Sequence, residues 1–162
     1  MKAGSTLNSF LLLVVSAVSY LFLGYYTERS NFTLLLLLFG FAFAAYYKLS
    51  QRKLPVKTIF WAAILFRFLL LFSWPALSDD YYRFIWDGRL LAAGKNPFLH
   101  LPTFYLSNPD KITGINSKLL EQLNSPEYYT VYPPICQFIF AFCACLFPDN
   151  NWGMVIGMRL FI

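Results

Sequence analysis

The stretch LNSFLLLVVSAVSYLFLGYY, Leu7 to Tyr26, holds twenty residues without a charge. As a helix rising 1.5 Å per residue it reaches about 30 Å, the hydrocarbon thickness of a bilayer. The remainder of the chain has the same character. Of 162 residues, 58% are hydrophobic, 20% aromatic and only 13% charged, whereas a soluble domain averages about 25% charged. Lipid is therefore the expected solvent, and the expected fold is all-α: a polytopic transmembrane helix bundle, one transmembrane domain over residues 1–162. A small-x-small site at Ala17-Val18-Ser19 raises the rival reading of a signal peptide. The apolar run continues past that site, which favours a span.

Further apolar runs follow in order. Residues 32–47 form a second expected span and 58–75 a third. Lys48, Arg52, Lys53 and Lys57 crowd the connection between them. The positive-inside rule makes that connection cytoplasmic, and with it the amino terminus, where Lys2 agrees. Asn31-Phe32-Thr33 matches a glycosylation sequon, but lies too near the span to be a good acceptor. Arg67 sits mid-span, where a charge costs about 2.5–3.5 kcal/mol. It is expected to face the bundle interior and to pair with an anion. A fourth span is expected over 133–147, with Gln137 one turn inside. A partial fifth covers 152–162, as in the amino-terminal part of a longer protein. Residues 76–132 then form a large external loop, which places the protein in a cell membrane as a multi-pass protein.

That loop opens on Leu77-Ser78-Asp79-Asp80-Tyr81-Tyr82-Arg83-Phe84-Ile85-Trp86-Asp87-Gly88-Arg89. Ser78 is a good N-cap, Asp79 and Asp80 favour the positive helix end, and Gly94 is a good stop. On such a helix Asp80, Arg83 and Asp87 share one face. The expected element is a juxtamembrane amphipathic helix at the membrane surface. Turn signals follow at Asn96-Pro97, Pro102 and Asn108-Pro109-Asp110, then a short helical stretch near Ile115 to Leu123.

Two carboxylates just outside a membrane suit a general base, a cation ligand or an ion pair. A base must reach the proton it removes. Arg83 and Asp87, at i and i+4, suit a simple pair across one turn. Two acidic residues are too few to define a metal site, so no metal or other cofactor is expected, although a divalent ion would suit the pair. The net charge of +5 does not imply nucleic acid, because the basic residues lie between apolar runs. Cys136, Cys143 and Cys145 are odd in number and lie in one apolar segment, as packing residues do. His100 is the sole histidine and has no triad partner nearby in sequence.

The blocks LSDDYYRFIWDGRLLAAGKNPF and TVYPPICQFIFAF together resemble the amino-terminal region of bacterial multi-spanning glycosyltransferases of the GT-C superfamily. They are most similar to its mannosyltransferase-like branch, which uses polyprenyl-phosphate sugars. The resemblance covers about Arg67 to Phe142. It implies an inner-membrane transferase that moves a hexose, mannose in that branch, from a polyprenyl-phosphate donor. The acceptor would be a hydroxyl of a lipid or glycan on the external face. It implies Asp79 as general base, with Asp80 as neighbour or alternative. Candidate cations for the departing phosphate are Arg67, Arg83, Arg89 and Lys95, the last three by proximity in the sequence only. Trp86 and Tyr82 would stack on a sugar or anchor the helix in the interface, as aromatic belts do. Asp87 belongs to the same substrate-binding set, and Tyr132 to an acceptor groove. The alternative class is a non-enzymatic multi-pass membrane protein or transporter subunit.

Overall fold

The computed structural model describes residues 3–107 and 111–161, and side chains from residue 7 onward. Lys2, the turn at Asn108-Pro109-Asp110 and Ile162 lie outside the described residues. Eight helices and no strand are found among those described: α1 (Ala3–Tyr25), α2 (Phe32–Ser50), α3 (Val56–Leu71), α4 (Asp80–Ala92), α5 (Pro102–Ser107), α6 (Ser117–Glu121), α7 (Pro134–Leu146) and α8 (Asn151–Leu160). They form two compact units, Met1–Leu77 and Ser78–Ile162.

In the first unit α1 packs on both α2 and α3. Its buried positions are Ser9, Ser16, Ser19 and Leu23, with Thr27 buried just past its end, and those of α2 are Ala42 and Ala45. Phe10, Phe22, Leu36, Phe39, Phe43 and Phe60 face outward instead. Small and polar residues inside with large apolar residues outside invert the pattern expected in water. They match helices that associate in lipid by close backbone approach. At Gly24 the Leu70 side chain fills the space a Cβ would take, with Cδ2 2.7 Å from that position. The Tyr25 hydroxyl also donates to the Leu69 carbonyl at 2.9 Å.

Leu7–Tyr25 and Phe32–Ser50 are long and apolar enough to cross a membrane. Only 22% and 11% of these stretches are buried within the chain, so both leave most of their apolar surface open. The third expected span is shorter than its sequence implied. Helix α3 has 16 residues, about 24 Å. It ends at Leu71, where the Ser73 hydroxyl donates to the Leu70 carbonyl at 2.9 Å, and Pro75 keeps Trp74 from resuming it.

The second unit is built on α4, which packs on α7 and α8. Its core joins Ile85, Trp86 and Leu90 to Phe140, Cys143, Ala144, Met154 and Val155. Gly88 lets α4 lie directly against the Phe140 backbone, a space that any Cβ would fill. On α8, Gly153 makes room for the Phe147 ring and Gly157 for the Cys143 thiol, both side-chain contacts. Helix α4 ends as expected. Gly94, at φ +73°, donates to the Leu91 carbonyl and Lys95 to that of Leu90, each at 2.9 Å, which is a Schellman motif.

Two expectations for this unit are corrected, and a third element is shorter than its sequence implied. Helix α4 does not lie on a surface by one face; from Arg83 to Leu90 every residue but Phe84 is buried. The expected fourth span, 133–147, holds a helix of 13 residues, about 20 Å, against about 30 Å of hydrocarbon. Phe147 and Pro148 end it. Pro102, read as a turn signal, instead begins α5, where its missing N–H is not needed.

Candidate functional site

Helix α4 begins one residue later than Ser78 as N-cap implied. Asp79 is the N-cap residue and makes no side-chain capping bond, while the Ser78 hydroxyl accepts the Asp80 N–H at 3.2 Å. Asp79 and Asp80 are both half-buried. Asp80 Oδ1 accepts from the Asn124 amide at 2.5 Å, a contact across 44 residues. Tyr132 lies close by. Its ring meets Phe84 edge-on at 4.8 Å, and Phe84 stacks on Phe140 at 4.6 Å. Burial, and then the Asp80 and Asp87 carboxylates, hold the Tyr132 phenol above its ordinary pKa range, partly offset by Arg83. It stays a neutral hydroxyl beside a carboxylate.

Two turns further on, Asp87 is fully enclosed. Its Oδ1 accepts from Arg83 Nε at 3.0 Å. Its Oδ2 accepts from the Thr130 hydroxyl and from Gln137 Nε2, the latter at 2.9 Å. Arg83 Nη1 also donates to the carbonyls of Ser125 at 3.2 Å and Tyr128 at 3.0 Å. The network thus ties α4 to the strap 125–130 and to the first turn of α7. The pair expected on a surface is a buried one. A buried charge is tolerated only when paired and hydrogen-bonded, and Asp87 is both.

Arg89 is a second fastener. Nε donates to the Pro148 carbonyl and Nη1 to the Gly114 carbonyl, each at 2.9 Å. Burial lowers its pKa, partly offset by Asp149. Trp86 is fully enclosed, so it neither anchors an interface nor offers a face to a sugar. Its Nε1, like Arg89 Nη2 and Gln137 Oε1, is buried without a hydrogen-bond partner.

Of the residues singled out from sequence, Asp79, Asp80 and Tyr132 remain partly open at the start of α4 and α7. Lys95 is half-buried just past the end of α4, away from that start. Arg83, Asp87, Arg89 and Trp86 belong to the interior. Arg67 is exposed on α3 and not turned inward as expected. Glu28 is the one acidic residue in the first unit, so the interior of α1–α3 offers little to draw a cation in. His100 is an exposed loop residue stacked on Phe104 at 3.8 Å. Asn124, Thr130 and Gln137 were not marked as partners in the sequence. Only Gln137 gave a signal, as a polar residue in an apolar helix.

No protein-family model, curated protein or solved structure matches this chain. The class that fold and composition define is an all-helical protein with two helices able to cross a membrane.

Proposed function

We propose that this chain is, or is part of, a multi-pass membrane glycosyltransferase. It transfers a hexose, with mannose as the first choice, from a polyprenyl-phosphate donor to an acceptor hydroxyl on the external face. One observation carries the reading. Of the three carboxylates in the α4 motif, Asp87 is spent on the interior, while Asp79 and Asp80 stay half-open at the head of the helix it fixes. A rigid helix with its carboxylates at the rim is the arrangement a general base needs. Asp79 takes the acceptor's hydroxyl proton as that oxygen bonds the anomeric carbon. The bond from that carbon to the phosphate oxygen breaks, and polyprenyl phosphate leaves with the electron pair. Asp80, oriented by Asn124, is the alternative base. The neutral Tyr132 hydroxyl is a donor suited to the acceptor side.

The test is transfer of radiolabelled mannose from polyprenyl-phosphate mannose in membranes containing the chain, with Asp79→Asn and Asp80→Asn compared. General-base loss costs about 10²–10⁴-fold in rate. Normal turnover in both folded variants removes the assignment. The internal bonding of Arg83, Asp87 and Arg89 favours a second reading, a non-enzymatic multi-pass membrane protein. That reading gains if transfer is absent from the unmutated chain as well.

A further inference from the structure

The charge of this protein is divided unevenly. Unit 1 carries seven basic residues and one acidic, a net of plus six, while unit 2 carries six basic and seven acidic, a net of minus one. Between Glu28 and Asp79 there is no acidic residue at all. Four of the basic residues, Lys48, Arg52, Lys53 and Lys57, fall within ten positions at the connection from α2 to α3. Lys48, Lys53 and Lys57 are exposed. Arg52 is half-buried and donates to Ser9 Oγ at 2.9 Å, so the connection is braced against the start of α1. The cations thus gather at one end of the three-helix unit. Tyr46, Tyr47, Val56 and Trp61 are exposed among them, forming a band of aromatic and apolar residues mixed with ammonium groups. At the other end of α1 and α2, the turn holds Glu28 and Arg29, which balance each other.

We propose that the α2–α3 end of unit 1 is a binding surface for anionic phospholipid headgroups, engaged by Lys48, Lys53 and Lys57. Three observations select that partner. The surface is strongly cationic, with no acidic side chain on these helices to compete. The helices that carry it expose phenylalanine and leucine along their length, as lipid-facing helices do. Aromatic side chains surround the lysines, which is the composition of a membrane–water interface. A basic segment at that depth gains about fivefold in affinity per lysine from an anionic surface, and salt screens the effect. The inference concerns the lipid environment and is independent of sugar transfer.

The full chain is placed in nanodiscs of phosphatidylcholine containing a minor fraction of phosphatidylglycerol. Native mass spectrometry then reads the lipids that stay with the protein on release. Both leaflets of a disc are alike, so orientation does not affect the result. Phosphatidylglycerol should be retained several-fold above its share of the disc. In the triple variant Lys48→Gln, Lys53→Gln, Lys57→Gln it should fall to that share. The charge-keeping Lys→Arg triple should restore it, and this covers a glutamine variant that fails to fold. Lys111→Gln with Lys118→Gln in unit 2 should change nothing. The proposal is overturned by equal retention in the wild type and the glutamine triple, by an equal loss in the unit 2 variant, or by failure of the chain to enter discs of any composition.

Discussion

Arg83 Nε stands 3.0 Å from Asp87 Oδ1 inside unit 2, with the two side chains 6% and 0% exposed. This is one turn of one helix, yet it organises segments 40 to 50 residues away, because each partner spends its remaining capacity on the strap 125–130 and on Gln137. Removing one partner of such a pair leaves an uncompensated charge. Asp87→Ala is expected to lose about 3–5 kcal/mol of stability, read by chemical unfolding in detergent. A loss below about 1 kcal/mol, the scale of a surface pair, would mean the network contributes little.

Gly88 and Gly40 make an opposed pair. A Cβ at Gly88 meets the Phe140 backbone, while one at Gly40 meets nothing within 4 Å. Gly88→Ala should cost about 1–3 kcal/mol by forcing α4 and α7 apart. Gly40→Ala should be neutral or stabilising by up to about 1 kcal/mol, since alanine is the better helix former. Thermal unfolding of the two variants side by side decides this. Equal shifts would contradict the close approach.

Arg89 holds two carbonyls in two directions, Pro148 through Nε and Gly114 through Nη1. Lysine has one ammonium and no planar fork. Arg89→Lys should therefore lose about 1.5–3 kcal/mol, the worth of one charge-assisted bond. Protease cutting should also rise near Gly114, which sits at φ +75°. If lysine supports both contacts, cutting at that loop will match the wild type.

Burial and the neighbouring carboxylates raise the Tyr132 phenol above its ordinary value of 10.0. A raised acid favours its neutral form in the fold. Its contribution is complete below 10.0 and is lost as pH rises through the folded value. Stability should hold to about pH 10 and then fall. Tyr132→Phe should make that alkaline decline shallower. Burial raises Tyr105 as well, and its hydroxyl donates to the Asn96 carbonyl, so some decline should persist. Unfolding measured from about pH 9 to 11 tests both; an unchanged slope in the Tyr132 variant would remove it from the linkage.

Much of the architecture was legible in the residues. Uncharged runs located α1 and α2, the Asn96-Pro97 signal and Gly94 located the end of α4, and the i, i+4 spacing paired Arg83 with Asp87. The environment of that pair was not legible. Neither helical spacing nor charge tells whether a face meets water, lipid or another helix. Thr130 and Gln137 lie 43 and 50 residues from Asp87, and nothing local announces such a partner. Trp86 is ambiguous in sequence for the same reason: an aromatic beside charges suits both an interface and a core.

By itself the sequence determined helical content, the two long apolar helices and the one-sided placement of positive charge. These follow from local properties, namely hydrophobicity, propensity and the order of charges along the chain. The tertiary structure alone decided which polar side chains are spent in the interior and which stay at the rim. That choice separates Asp87 from Asp79 and Asp80, because a carboxylate enters a packed interior only when donors from distant segments arrive to meet it.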